Sequence, residues 1–179
     1  MKNDDKRFMR ATFEIARRAR NRGNHPFGAV LVDENGHIVM EAENTVVIAK
    51  DCTGHAEANL MRRASSNYDY EFMAKCTIYT STEPCPMCAG AIFWANVRRV
   101  VFGLSQQRLY DIVGWNNDEV LYLPCRELFG RGQKTIEVIG PILEEEACKV
   151  HMGFWELGPA HHCCDLDRGD RSPWPIHAL

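Results

Sequence analysis

Two short motifs, about thirty residues apart, constrain how this chain can fold, because each one begins a predicted helix. The first motif is His55-Ala56-Glu57, which opens a predicted helix over residues 55–66. The second is Pro84-Cys85-Pro86-Met87-Cys88, where a proline in the first turn suits the start of a helix over 87–95. A Cys-x-x-Cys pair at a helix amino terminus directs two sulfur atoms toward one point, and the helix dipole favours their thiolate forms. A fold that joins the two helix starts therefore gathers two thiolates, an imidazole and a carboxyl group.

Two thiolates and one imidazole form a ligand set that suits zinc. Three protein ligands leave the fourth tetrahedral position open, which is typical of catalytic rather than structural sites. Zinc lowers the pKa of a water in that position toward about 7. Glu57 can lie beside this water without binding the metal, and it can carry a proton. A lone Cys-x-x-Cys is also compatible with a redox pair or a structural zinc site, and Cys52 is the nearest candidate for a fourth ligand.

The chain has 179 residues and eight cysteines, which is unusual for its size. The first ten residues contain no apolar run, so a secretory leader and a disulfide framework are not expected. Cys76, Cys125 and Cys148 are interpreted as buried thiols. His161-His162-Cys163-Cys164 has the composition of a metal cluster, but we interpret it as part of a poorly ordered or partner-docking tail over 158–179.

Length and charge indicate one soluble domain, which we assign to residues 1–157. No apolar run approaches the roughly 18 residues needed to span a bilayer, and a cytoplasmic location is expected. The net charge of −3 argues against a broad surface for nucleic acid. The basic pairs Arg17-Arg18 and Arg98-Arg99 are expected to be solvated surface residues.

Hydrophobic periodicity predicts an α/β fold. Strands and helices alternate from about residue 55 onward, which favours a layer of parallel strands. An amphipathic helix and a hairpin precede this layer, and residues 112–134 have no clear pattern. The predicted elements are helices at 4–22, 55–66, 87–95, 105–111 and 144–156, and strands at 27–33, 37–42, 76–80, 99–102 and 135–139.

The pattern His-x-Glu followed by Pro-Cys-x-x-Cys is the signature of zinc-dependent nucleobase deaminases. With this pattern and the stretches HPFGAVLV, AENTV, TGHAEANLMR and YTSTEPCPMCAGAIFWA, the chain resembles the cytidine deaminase superfamily, over about residues 5–157. Within that superfamily it resembles the guanine deaminase and nucleoside deaminase branch. The resemblance implies a three-layer α/β/α sandwich around a five-stranded mixed sheet, and a homodimer or larger oligomer.

The resemblance also implies roles for individual residues. His55, Cys85 and Cys88 would bind zinc, and Glu57 would act as the proton shuttle. Substrate contacts would come from Asn44, Phe27, Ala56 and Trp94. Simpler interpretations remain open for three of these, since Phe27 and Trp94 could be core residues and Asn44 a turn residue.

Substrate identity depends on the segment that reads Gly114-Trp115-Asn116-Asn117-Asp118-Glu119. Guanine deaminases of this superfamily carry an acid there that reads the guanine edge, so Asn117 and Asp118 are the predicted contacts. Either Asp118 or Glu119 can supply this carboxylate. A carboxylate only accepts hydrogen bonds, whereas the amide of an asparagine both donates and accepts them. The expected activity is the hydrolytic release of ammonia from a small base or nucleoside, with guanine as the favoured substrate. The alternatives are adenosine in tRNA, which needs a basic surface, and a non-catalytic zinc module.

Overall fold

The computed structural model describes residues 4–116 and 118–155. Its centre is a five-stranded sheet with the strand order β2-β1-β3-β4-β5. β1 runs antiparallel to β2 and β3, whereas β3, β4 and β5 run parallel to one another. The predicted mixed sheet, with parallel strands in its later part, is therefore confirmed. The strands are β1 (Gly28–Val32), β2 (Ile38–Glu43), β3 (Thr77–Thr82), β4 (Arg99–Leu104) and β5 (Glu137–Ile139).

The longer helices lie where the sequence predicts them, and the short ones were missed. The helices are α1 (Asp5–Asn21), α2 (Val46–Ala49), α3 (Ala56–Asn67), α4 (Tyr70–Lys75), α5 (Pro86–Trp94), α6 (Gln106–Val113), α7 (Cys125–Gly130) and α8 (Glu144–His151). The missed helices α2, α4 and α7 have at most six residues, too few for a periodic pattern. The helix predicted to continue to residue 156 ends at His151, and Gly153 follows with a positive φ of 67°.

Residues of β1, β3 and β4 alternate between the two faces of the sheet, which gives the fold its three layers. Leu31 and Ile78 belong to a core under α3 and α5, whereas Val30, Tyr79 and Val101 belong to a core under α1 and α8. The two cores lie on opposite faces because successive strand side chains point in opposite directions. The predicted three-layer α/β/α sandwich is thus confirmed.

A close contact fixes α1 against the edge of β1 where the cavity begins. Thr12 of α1 is buried, and a Cβ atom on Gly28 would lie 2.6 Å from its carbonyl oxygen. A larger residue at position 28 would therefore push the helix away from the strand. The backbone N–H of Gly28 also donates to Ser81 Oγ on β3, at 3.1 Å.

The prediction that the Arg98-Arg99 pair lies on the surface is wrong for Arg99, which is buried. Its guanidinium donates to both carboxylate oxygens of Asp5, at 3.2 and 2.9 Å, and its Nε donates to Glu137 at 2.8 Å. The Tyr79 hydroxyl donates to the same Asp5 carboxylate at 2.7 Å. Arg99 therefore joins the start of α1 to β3, β4 and β5. Its burial is tolerated because its charge is paired with carboxylates.

No helix within the described residues is long and apolar enough to cross a bilayer.

Candidate metal centre and the cavity beside it

The carboxyl end of β3 and the amino ends of α3 and α5 meet at one edge of the sheet. His55 precedes α3 and Cys85 precedes α5, both in extended backbone conformations. Residues that follow parallel strands commonly form the functional site of open α/β sheets. Because β1 is antiparallel to β3, the beginning of β1 and the end of β2 lie at this same edge.

The three predicted ligands form a cluster with the dimensions of a zinc site. His55 Nδ1 lies 3.5 Å from Cys85 Sγ and 3.6 Å from Cys88 Sγ. Zn–S and Zn–N bonds of about 2.3 and 2.0 Å at a tetrahedral angle imply an S···N separation of about 3.5 Å. The two N···S separations therefore match those of a tetrahedral zinc site. Within residues 4–116 and 118–155, no fourth His, Cys, Asp or Glu joins this group.

The two thiols titrate very differently. The pKa of Cys85 is lowered to about 4, because the Cys88 thiol donates to its thiolate and the His55 imidazole lies beside it. The hydrogen bond to Cys85 and nearly complete burial raise the pKa of Cys88 well above its ordinary value. Burial opposes protonation of His55, but the Cys85 thiolate outweighs this effect and the net pKa of His55 is raised. The surroundings of Cys85 thus favour its thiolate form, which is the form that binds a metal cation.

Glu57 lies in the first turn of α3, and its side chain is buried beside the cluster. Burial raises the pKa of its carboxyl group, and the nearby Cys85 thiolate raises it further. Oε1 of Glu57 accepts a hydrogen bond from Thr80 Oγ1 at 3.0 Å. The carboxyl group is therefore oriented by a residue of β3. Its raised pKa favours the protonated form, which suits a group that transfers protons at neutral pH.

Asn44 is fully buried where β2 ends, next to Phe27 at the start of β1. Its backbone N–H donates to the Phe27 carbonyl at 3.1 Å, and its Oδ1 accepts from the Val46 N–H at 3.0 Å. Its Nδ2 has no hydrogen-bond partner among the residues that the structure describes. A buried donor of this kind is costly unless a ligand or a water satisfies it.

Asn59, which the sequence analysis did not single out, supports both Asn44 and His55. Its Nδ2 lies 3.1 Å from the Glu43 carbonyl and 3.2 Å from the Gly54 carbonyl, so it bridges the residues just before Asn44 and His55. This bridge needs Gly54, where a Cβ atom would lie 2.8 Å from Thr45 Oγ1. The sequence does contain a signal for this role. Asn59 follows His55 by four positions, and residues with this spacing lie on the same face of a helix.

A cavity of about 360 Å³ opens beside the cluster, within the range of roughly 300–1,000 Å³ typical of small-molecule sites. Aromatic rings form much of its wall, and the polar groups that face it include Glu57, Glu83, Gln106 and Glu119. Phe27, one of the predicted substrate contacts, lines this cavity. Further aromatic residues on this wall are His25, Tyr110 and Trp155.

Trp155, which follows α8 and which the sequence analysis did not single out, also lines the cavity. Its indole N–H donates to Nδ1 of the buried His151 at 3.3 Å, and the planes of the two rings are nearly parallel, at 9° to each other. His151 Nε2 in turn lies 3.4 Å from Thr82 Oγ1. Only the way the chain turns back after α8 places this ring, so periodicity within the helix could not reveal it.

The other predicted substrate contacts are distributed unevenly. Glu119 lines the cavity, whereas Asn44, Asp118 and Ala56 are not among its lining residues, and Asn117 lies outside the described residues. Trp94 is 76% exposed on α5 and is not brought to the cavity of its own chain. The homodimer, which could use such an exposed ring, stays a prediction.

The remaining cysteines behave largely as expected. Cys76, Cys125 and Cys148 are buried thiols, which confirms their interpretation. Cys52 is exposed and lines the cavity, but it is not part of the three-residue cluster. A structural zinc module completed by Cys52 therefore finds no support in the geometry. The motif at 161–164 lies outside the described residues, as does the boundary predicted at 157.

Comparison with known proteins shows the family to which this chain belongs. The family described as "Cytidine and deoxycytidylate deaminase zinc-binding region" matches residues 2–104, and the chain belongs to this family. It is therefore a zinc-dependent deaminase of the hydrolytic type.

Individual relatives differ in substrate. The chain is 42% identical over 156 residues to a probable cytosine deaminase of Schizosaccharomyces pombe, covering 86% of this chain and 94% of the relative. It is 33% identical over 151 residues to the tRNA-specific adenosine deaminase of Bacillus subtilis, covering 84% and 88%. A solved structure of guanine deaminase from Nitrosomonas europaea aligns with a TM-score of 0.65 at 24% identity, covering 80% of each chain, and shows the shared fold.

Proposed function

We propose that this protein removes the exocyclic amine of a small free base by hydrolysis, with guanine as its principal substrate. The observation that carries the proposal is the buried Glu57 carboxyl group beside the three-ligand cluster, on the wall of a cavity of small-molecule size. A metal-ligand set with an open position and an adjacent proton carrier suits attack of water on an amine-bearing ring carbon.

His55, Cys85 and Cys88 would hold the zinc, which when bound supplies a water acidified toward neutral pH. Glu57 would accept the proton of this water as its oxygen bonds to the ring carbon. Glu57 would then deliver that proton to the neighbouring ring nitrogen. It would carry the remaining hydroxyl proton to the amine, so that the C–N bond breaks and ammonia leaves. The raised pKa of the Glu57 carboxyl group supports this role, because the group must release protons as well as accept them.

Three features support recognition of a free base. The buried Nδ2 of Asn44 offers a donor for a ring nitrogen or carbonyl oxygen of the substrate. Phe27 and Trp155 present aromatic surface to a planar ring. The Glu119 carboxylate faces the same cavity and would accept the ring N–H of guanine.

Cytosine is the second candidate, favoured by the 42% identity to the S. pombe relative. Its ring also offers an N–H and a carbonyl oxygen to the same two groups. Adenosine in tRNA is less favoured, because the net charge is −3 and RNA binding depends on cationic groups that neutralise phosphates.

The test is ammonia release by the zinc-loaded protein from guanine, cytosine and adenine, and from adenosine in a tRNA anticodon stem-loop, with Glu57→Ala as the control. We expect the highest kcat/KM for guanine. Higher kcat/KM for cytosine would replace guanine with the second candidate. Turnover of the stem-loop alone, or of none of the four substrates, would overturn the proposal.

A further inference from the structure

The Glu83 carboxylate joins the starts of two helices that border the cavity. Its Oε2 accepts from the backbone N–H of Gln106, the first residue of α6, at 3.1 Å. Its Oε1 accepts from the backbone N–H of Cys125, the first residue of α7, at 3.1 Å. Glu83 is only 7% exposed, and its negative charge lies at the amino ends of both helices, where it is favoured. The carboxylate therefore fixes the positions of the first residues of α6 and α7 relative to each other.

The side chain of Gln106 continues this connection toward the metal cluster. Its Nε2 donates to the Pro84 carbonyl at 3.2 Å, directly before the ligand Cys85. Its Oε1 accepts from the backbone N–H of Leu123 at 3.2 Å. Gln106 is 2% exposed and lines the cavity. Both ends of its amide make hydrogen bonds away from bulk water, where such bonds are stronger.

The hydrogen bond from Leu123 to Gln106 holds residues 118–124 in place. These residues are a segment of the connection between α6 and α7. Glu119, Val120 and Leu121 of this segment line the cavity. The Tyr110 hydroxyl of α6 also anchors the backbone of this segment, because it lies 3.3 Å from both the nitrogen and the oxygen of Leu121. The segment has no helix or strand of its own, so side-chain anchors of this type determine its position.

We propose that Gln106, held in place by Glu83, is a positioning residue for substrate recognition: it fixes the distance between the Cys85 loop and the segment that presents Glu119. This inference rests on the proposed function, since it assigns Glu119 to the substrate edge. Gln106 acts through the backbone of Leu123 rather than by touching the reacting atoms. Its loss should therefore weaken substrate binding and leave zinc and Glu57 in place.

The test is Gln106→Met, which keeps the length of the side chain and removes both hydrogen bonds. The matched control is Gln107→Met, because Gln107 is the next residue of α6 and its exposed amide donates to the surface residue Asp111. For Gln106→Met we expect full zinc content, a kcat within about threefold of wild type and a KM raised about tenfold, the effect of roughly one buried hydrogen bond. If Gln106→Met does not fold, Gln106→Asn, whose amide is one methylene too short to reach both partners, carries the same expectation.

A double-mutant cycle with Glu119→Ala separates positioning from general loosening. If Gln106 acts by placing Glu119, Gln106→Met raises KM little further when Glu119 is already absent, so the two effects are not additive. A full tenfold increase on top of Glu119→Ala, or an unchanged KM in Gln106→Met, would overturn the inference.

Hydrogen exchange keeps this inference distinguishable from the proposed function. Even if no base is deaminated, Gln106→Met should speed exchange of the Leu123 amide, whose acceptor is lost, while amides of β3 keep their protection. Unchanged exchange at Leu123 would overturn the positioning role by itself.

Discussion

Thr80 Oγ1 donates a hydrogen bond to Oε1 of Glu57 across 3.0 Å, so that a strand of the central sheet holds the carboxyl group at the first turn of α3. The same hydroxyl lies 3.0 Å from the Thr82 carbonyl, which limits how it can rotate. Both Thr80 and Glu57 are buried. The orientation of the proposed proton carrier is therefore set by the rigid sheet rather than by a loop.

Replacing Thr80 with valine tests this relationship. Thr80→Val keeps the shape of the side chain but removes the donor, so the carboxyl group loses its fixed orientation. We expect kcat to fall about tenfold, comparable to one hydrogen bond, with KM and zinc content unchanged. Thr80→Ser restores the hydroxyl and should recover most of the rate. Equal kcat values for Thr80→Val and wild type would show that the bond does not orient Glu57 for catalysis.

Glu57→Ala separates metal binding from proton transfer. Glu57 is not in the three-residue ligand cluster, so the variant should bind zinc stoichiometrically. Without the proton carrier, kcat should fall by at least about 10²–10⁴, the range that general acid–base catalysis supplies. The measurements are zinc content by elemental analysis and ammonia release. An active variant, or one that loses its zinc, contradicts the assigned role.

His151 should make the folded protein sensitive to acid. Burial lowers its pKa to about 3, and the positive charge of Arg20 adds to this effect. The unfolded chain binds a proton below about pH 6.5, whereas the folded chain does not, so the free energy of unfolding falls by up to about 1.4 kcal/mol per pH unit between pH 6.5 and pH 3. His151→Asn removes this contribution, so its stability should decline less steeply. Urea unfolding of both proteins at pH 7, 6 and 5 measures the two slopes, and identical slopes would refute the prediction.

Arg99→Met should destabilise the fold without altering the metal cluster. The substitution removes the guanidinium that pairs with the buried Asp5 carboxylate, and breaking such a pair commonly costs about 3–5 kcal/mol. Arg98→Met is the matched control, because Arg98 is the neighbouring and partly exposed arginine. We expect a lower thermal midpoint for Arg99→Met and full zinc content in the fraction that folds. Similar midpoints for the two variants would contradict the structural role of the network.

Regular elements and the His55, Cys85 and Cys88 cluster could be predicted from sequence because each depends on local spacing. The apolar repeat of Phe8, Thr12 and Ile15 specifies α1, since residues three and four apart share a face of a helix. His55, Cys85 and Cys88 follow from the motifs at the two helix starts. The short helices α2 and α7 could not be predicted in this way.

The sequence by itself thus determined the mixed α/β fold, the three-ligand cluster and the position of Glu57. Only the tertiary structure decided that Glu119 rather than Asp118 lines the cavity, that Trp155 forms part of its wall and that Arg99 is buried. The physical reason is that periodicity records which face of a regular element is apolar. The direction of a side chain on a connecting segment, and the partner of a buried charge, depend on contacts between residues far apart in the chain.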